Sequence, residues 1–150
     1  MSDHASTADL STDDLVKGVI DWISIESPSS DATAVNKMVD HIEAEFKSVG
    51  LEVERTPGKD GCGHLIRGRA QGSSRANKGI LVVSHIDTVH PIGTSTSGNP
   101  IRIEGDNLYG PGTYDMKAGA YIAFYAYKQL LAAGGDPDPV SYTHLRAHET

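Results

Sequence analysis

Apolar residues recur at helical spacing twice in the first third of the chain. Leu15, Val16, Val19, Ile20 and Ile23 form one stripe. Val35, Met38, Val39, Ile42, Phe46 and Val49 form a longer one. Each predicts an amphipathic helix with one face on a core. The punctuation agrees. Ser11 ahead of Asp13 and Asp14 reads as a helix start, with acids near the positive end of the dipole. Pro28 disfavours helix in the residue before it, so the first helix stops before "ESPSSD". Asp31 opens the second helix and Gly50 suits its C-terminal cap. His41 lies off the stripe and reads as a solvated surface histidine.

The period then changes to two. "LEVER" alternates as a strand, "PGKDGCG" is a turn, "HLIRGRA" a weaker strand, and "QGSSRANKG" a polar loop. "GILVVS" is a short, continuous apolar run rich in branched residues, as in a strand buried on both faces. "IRIEGDNLYG" predicts a hairpin around "EGDN". "MKAGAYIAFYAYKQLLAAGG" predicts a buried helix stopped by Gly134 and Gly135. Alternating helices and strands argue an α/β architecture, with helices over a mostly parallel sheet. Ligands of such sheets gather at the carboxyl ends of the strands.

Composition narrows the function. The net charge of −7 argues against nucleic acid and anionic membrane as partners. No apolar run is long enough to cross a bilayer. Residues 1–10 read as a flexible polar leader without the basic and apolar parts of a secretory signal. A single cysteine, Cys62, excludes an internal disulfide, and a reducing cytoplasm fits.

Two polar clusters fall where the sheet rule puts a ligand. In "SHIDTVHPIG", extended backbone would place His85 and Asp87 on one side, with Ile86 turned into the core. A metal-binding histidine donates its other ring N–H to such a carboxylate, which fixes its tautomer. The pair alone reads first as a strand-end hydrogen bond, and His90 first as a loop histidine and second as a substrate contact. In "GPGTYDMKAG", Gly110 and Gly112 permit a sharp turn or a close approach. Asp115 there is either a metal ligand or a helix cap.

Together, the two motifs resemble the signature pair of a zinc metallopeptidase family. It includes glutamate carboxypeptidase, acetylornithine deacetylase, succinyl-diaminopimelate desuccinylase, aminoacylase and several dipeptidases. The "GPG" before "TYDMK" and the "DTVHPIG" loop look most like the glutamate carboxypeptidase branch. The resemblance runs from the first helix to about Asp138. It implies the first part of a three-layer α/β/α catalytic domain, residues 11–139 here, with a mostly parallel central sheet. It implies two divalent ions, zinc by the family's habit, with cobalt or manganese also suited to histidine and carboxylate donors. His85 would bind one ion, Asp115 would bridge both, and Asp87 would serve catalysis by orienting His85. The peptide bond from Asp115 to Met116 would be cis. Two ions about 3.5–4 Å apart would lower the pKa of a shared water toward about 7. The substrate would be a small peptide or N-acyl amino acid with a free carboxylate. The parent would be a homodimer through a further domain.

The resemblance also predicts what this sequence lacks. The family's general base is a glutamate in an acidic pair on the strand after the last helix, and further ligands come later. This chain has "PVSYTHLRAHET" there. His144 and His148 stand four apart, a spacing that begins many zinc sites on helices. Yet Val140–Thr150 is also the in-register translation of a common transposase sequencing adapter, and so reads as a non-native tail. The leading reading is an incomplete, inactive piece of a two-metal amidohydrolase. The alternative is a non-catalytic binding or interaction module that keeps the first half of the fold.

Overall fold

The computed structural model describes residues 11–70, 79–135 and 140–145. The leader, most of the polar loop before Gly79, and the tail residues His148 and Glu149 lie outside the described residues. Helix α1 spans Thr12–Ser24, and its N-cap Ser11 accepts from the Asp14 amide at 3.1 Å. Helix α2 spans Ala32–Ser48, with the Asp31 carboxylate accepting from the Ala34 amide at 3.0 Å. It ends through Gly50 at φ +78°, the left-handed conformation that glycine adopts without a Cβ penalty. His41 is half-buried rather than fully solvated. Its Nε2 lies 3.8 Å from a Glu45 carboxylate oxygen, because α2 turns that flank toward Trp22.

Strands β1 (Glu52–Thr56), β2 (Leu65–Arg69) and β3 (Ile80–His85) follow, then a small hairpin of β4 (Arg102–Glu104) and β5 (Asn107–Tyr109) turning at Gly105. Helix α3 spans Ala118–Ala132, and β6 spans Val140–Leu145. The main sheet runs β1-β2-β6-β3. The pairing of β3 with β6 is parallel, while β1 with β2 and β2 with β6 are antiparallel. Two of these three pairings are antiparallel, which corrects the expectation of a mostly parallel sheet for the described residues; the parallel pair is the one that feeds the site. Val140–Leu145 belongs to the stretch set apart above as a non-native tail. Here it pairs with β2 and β3. Backbone pairing asks only for an extended chain, so this placement concerns the strand and not the origin of its codons.

One core lies between the three helices and one face of the sheet. Trp22 sits at its centre, edge-on to Tyr121 at 5.3 Å and stacked with Phe124 at 6.3 Å. Phe46 closes on Phe124 at 5.2 Å, and Gly68 of β2 lies directly under the Phe46 ring. Truncating a buried ring of this kind costs about 3–5 kcal/mol. The expectation for β3 is corrected. It is the edge strand among the described residues, and Leu81 and Val83 on its far face are 63% and 49% exposed. The apolar run marks a strand that faces apolar partners on both sides, and the described residues supply them on one side only. No helix among the described residues is long and apolar enough to cross a membrane.

Candidate metal centre

The end of β3 is fixed by a second, shorter pairing. The Thr88 amide donates to Ser27 O at 2.8 Å, the Ser29 amide donates to Thr88 O at 2.9 Å, and Ser27 Oγ donates to Ile86 O at 2.6 Å. This clamps the segment after α1 against residues 86–88 and keeps that segment extended. Ile86 then turns into the core, as its alternation predicts, and His85 and Asp87 share the other side.

Asp115 arrives from a tight turn. Gly112 stands at φ +73°, where a Cβ would come within 2.7 Å of Thr88, and the Lys117 amide reaches back to Gly112 O at 2.9 Å. The peptide bond from Asp115 to Met116 is cis. The helix-cap reading of Asp115 does not hold. Helix α3 has no side-chain cap, and the carboxylate points instead at His85, with Oδ1 2.9 Å from Nε2. The side chain of Asp115 is 80% exposed, whereas Asp87 is 2% exposed.

The histidine is held from behind, though not quite as its spacing suggests. Nδ1 lies 3.0 Å from the main-chain carbonyl of Asp87 and 3.5 Å from its carboxylate. The carboxylate is engaged by Ser29, whose hydroxyl donates to Oδ2 at 2.5 Å. A carbonyl only accepts, so Nδ1 carries the proton. The ring's Nε2 faces the Asp115 carboxylate at 2.9 Å. A proton or a metal ion between the two would hold that contact, since two bare lone pairs repel. This donor set suits zinc, for which one imidazole nitrogen and one carboxylate oxygen on a tetrahedral ion lie roughly 3.3 Å apart. Among the described residues, no group of three or more His, Cys, Asp or Glu side chains is arranged to hold an ion.

The pair opens into a cavity of about 500 Å³, lined also by Ser29, Thr88, His90, Asn99 and Tyr114. The lining includes no glutamate. Three residues that carry the geometry were not read from the sequence. Ser29 looks like an ordinary loop serine. Glu26 holds the far rim, accepting from the amides of Gly93 and Ser95 at 2.7 Å each. Burial works to raise its pKa, but those amides and the charge of Lys117 outweigh it and hold the carboxyl below its ordinary range. Lys117 is 1% exposed, and its ammonium donates to Ile25 O at 2.6 Å and Trp22 O at 3.3 Å. Burial pushes its pKa down to about 8, against the pull of Glu26 and Asp87. The only advance signal was position: a lysine two residues after Asp115, just where an apolar helix begins.

Clamped strand end, glycine turn, histidine and facing carboxylate meet at the mouth of one cavity. Residues 81–147 match the profile of peptidase family M20/M25/M40, the family that the two motifs resemble. The chain is 33% identical over 121 residues to carboxypeptidase G2 of Pseudomonas sp. (strain RS-16), covering 80% of this chain and 28% of that protein. Human carnosine dipeptidase 1 shares the fold at a TM-score of 0.74 and 20% identity, over 91% of this chain and 32% of that one. An aminopeptidase PepT from Bacillus cereus does so at 0.75 and 20%, over 93% and 38%. The chain thus spans about a third of the length of these proteins. Its fold is the first part of a three-layer α/β/α catalytic domain.

Proposed function

We propose that the polypeptide to which this chain belongs hydrolyses the amide bond of a small peptide or N-acyl amino acid with the help of two divalent metal ions, most suitably zinc. The observation that carries the reading is Nε2 of His85 set against the Asp115 carboxylate at the mouth of the cavity, with Nδ1 of the same ring held at Asp87 O. His85 would hold one ion through Nε2, and Asp115, with its second oxygen exposed, would reach both. When bound, such a pair supplies Lewis acidity at the scissile carbonyl and a nucleophilic water at neutral pH. Asp87 fixes the tautomer by accepting the Nδ1 proton at its main-chain carbonyl, and Ser29 holds the Asp87 carboxylate. His90, Asn99 and Tyr114 line the space where a substrate would lie.

Among the described residues the cavity lining holds no glutamate for the general-base role that the resemblance assigns to one, taking a proton from water and passing it to a leaving amine. We therefore read this chain by itself as inactive and the whole enzyme as needing further segments. We read that enzyme as cytoplasmic, which its single cysteine fits, and as a homodimer, as its resemblance implies. The test is zinc binding. Zinc chloride titrated into the 150-residue chain should perturb the His85 ring resonances. His85→Ala and Asp115→Ala should each abolish the response, with amide hydrolysis absent throughout. Unchanged zinc affinity in folded His85→Ala would overturn the assignment.

A further inference from the structure

We infer that Lys117 is a positioning residue of the metal centre, whose buried ammonium locks the Asp115 turn to the end of α1, next to the segment clamped to residues 86–88, and so sets Asp115 against His85. This rests on the metal reading above and adds a component to it.

The two halves of the site come from segments 30 residues apart. Asp115 sits in a five-residue turn with an exposed side chain. Something must hold that turn in register with the end of β3. The Lys117 main chain closes the turn by donating to Gly112 O at 2.9 Å. Its side chain runs under Gly112, with Cδ 3.4 Å from where a Cβ would stand. The ammonium then meets the last carbonyls of α1, at Trp22 and Ile25. The residues that follow those carbonyls, 27–29, are the ones clamped to residues 86–88. Glu26 holds the 93–95 loop, and Asp87 belongs to the segment that orients His85. One residue therefore ties the Asp115 turn, the α1 terminus, the far rim and the Asp87 segment to a common point.

An ordinary helix-terminal lysine reaches the last carbonyls from the surface, with its head in water. This one has surrendered its hydration, which costs several kcal/mol unless charge and hydrogen bonds offset it. An apolar side chain would pack the turn against α1 without that cost. What it could not supply is the pair of hydrogen bonds to the Trp22 and Ile25 carbonyls, which fix the turn beside the segment clamped to the end of β3.

The experiment compares the wild-type chain with Lys117→Met and Lys117→Gln, at a temperature where circular dichroism shows each folded. Two readouts are taken: the His85 ring nitrogen resonances without zinc, which report tautomer and hydrogen bonding, and affinity for zinc chloride. If Lys117 positions the site, the ring resonances shift in both variants and zinc affinity falls about 10- to 100-fold, the range found when a residue supporting a metal ligand is lost. Lys117→Gln, which keeps one donor for the Ile25 carbonyl, should lie between wild type and Lys117→Met. Folded variants with wild-type resonances and wild-type zinc affinity would overturn the inference. So would failure of both to fold, which would assign the lysine to the fold as a whole. If zinc leaves the wild-type resonances unmoved, the metal reading fails, while the zinc-free spectra still decide whether Lys117 sets the His85–Asp115 contact.

Discussion

At the scale of single residues, Gly112 offers the sharpest contrast. Both Gly112 and Gly134 hold left-handed backbone, at φ +73° and +71°. Around Gly134 a Cβ would meet nothing, whereas at Gly112 it would come 2.7 Å from Thr88. Gly134→Ala should therefore cost about 1 kcal/mol, the conformational penalty alone. Gly112→Ala should cost at least about 1–3 kcal/mol and also weaken zinc binding, because the turn that carries Asp115 must move. Urea melts of the two variants, paired with zinc titrations, test this, and equal losses would refute it. Tyr121 gives a second prediction. Burial beside Glu45 and Asp21 pushes its hydroxyl up to about 12, above the ordinary value near 10. The folded state thus keeps a proton that the unfolded chain releases between those values. Stability should be intact below pH 10 and fall by up to about 2–3 kcal/mol toward pH 12. The Tyr121→Phe chain should lack that part of the alkaline loss in melts at rising pH. At this scale the sequence exposed the His85–Asp115 pair but not its support. His85 and Asp115 stand in quotable motifs. Lys117, by contrast, has the side chain least often buried, and only the fold encloses it.

At the scale of elements, local chemistry was the most readable part. Ser11 and Asp31 were identifiable as caps because each precedes an apolar stripe of helical period, and both caps form. Asp31→Ala should cost about 1 kcal/mol, since it leaves the Ala34 amide without its 3.0 Å acceptor. A thermal melt that matched wild type would show the cap to be dispensable. Asp115 is the counterexample. It has a cap's residue type and a cap's position, yet its carboxylate goes to His85. Capping preference is a local term of about 1 kcal/mol, and a tertiary partner can displace it. The strand β3 was legible as a strand but not in its exposure. Its side-chain pattern records how many sheet faces meet apolar partners, and that is decided by the elements around it.

At the scale of the whole molecule, that exposure has a consequence. Strand β3 lies at the sheet edge, and Leu81 and Val83 project from the face that the helices leave uncovered. An unpaired edge and an apolar face side by side form a template for another strand, and proteins ordinarily blunt such edges with charge. Here the nearest charged position on the strand is at best His85, which is engaged in the site. The isolated chain should therefore self-associate through β3 despite its net charge of −7, because that charge sits on other surfaces. Its sedimentation coefficient should rise with concentration and change little with added salt. Placing lysine on the open face, Leu81→Lys with Val83→Lys, should restore a monomer. It should leave the core intact, since neither side chain belongs to the Trp22 cluster. A wild-type chain that sediments as a monomer at every concentration would mean that this face is protected by residues outside the described segments. A double variant that still associated would move the contact elsewhere, with Tyr114, exposed beside the cavity, the next surface to test.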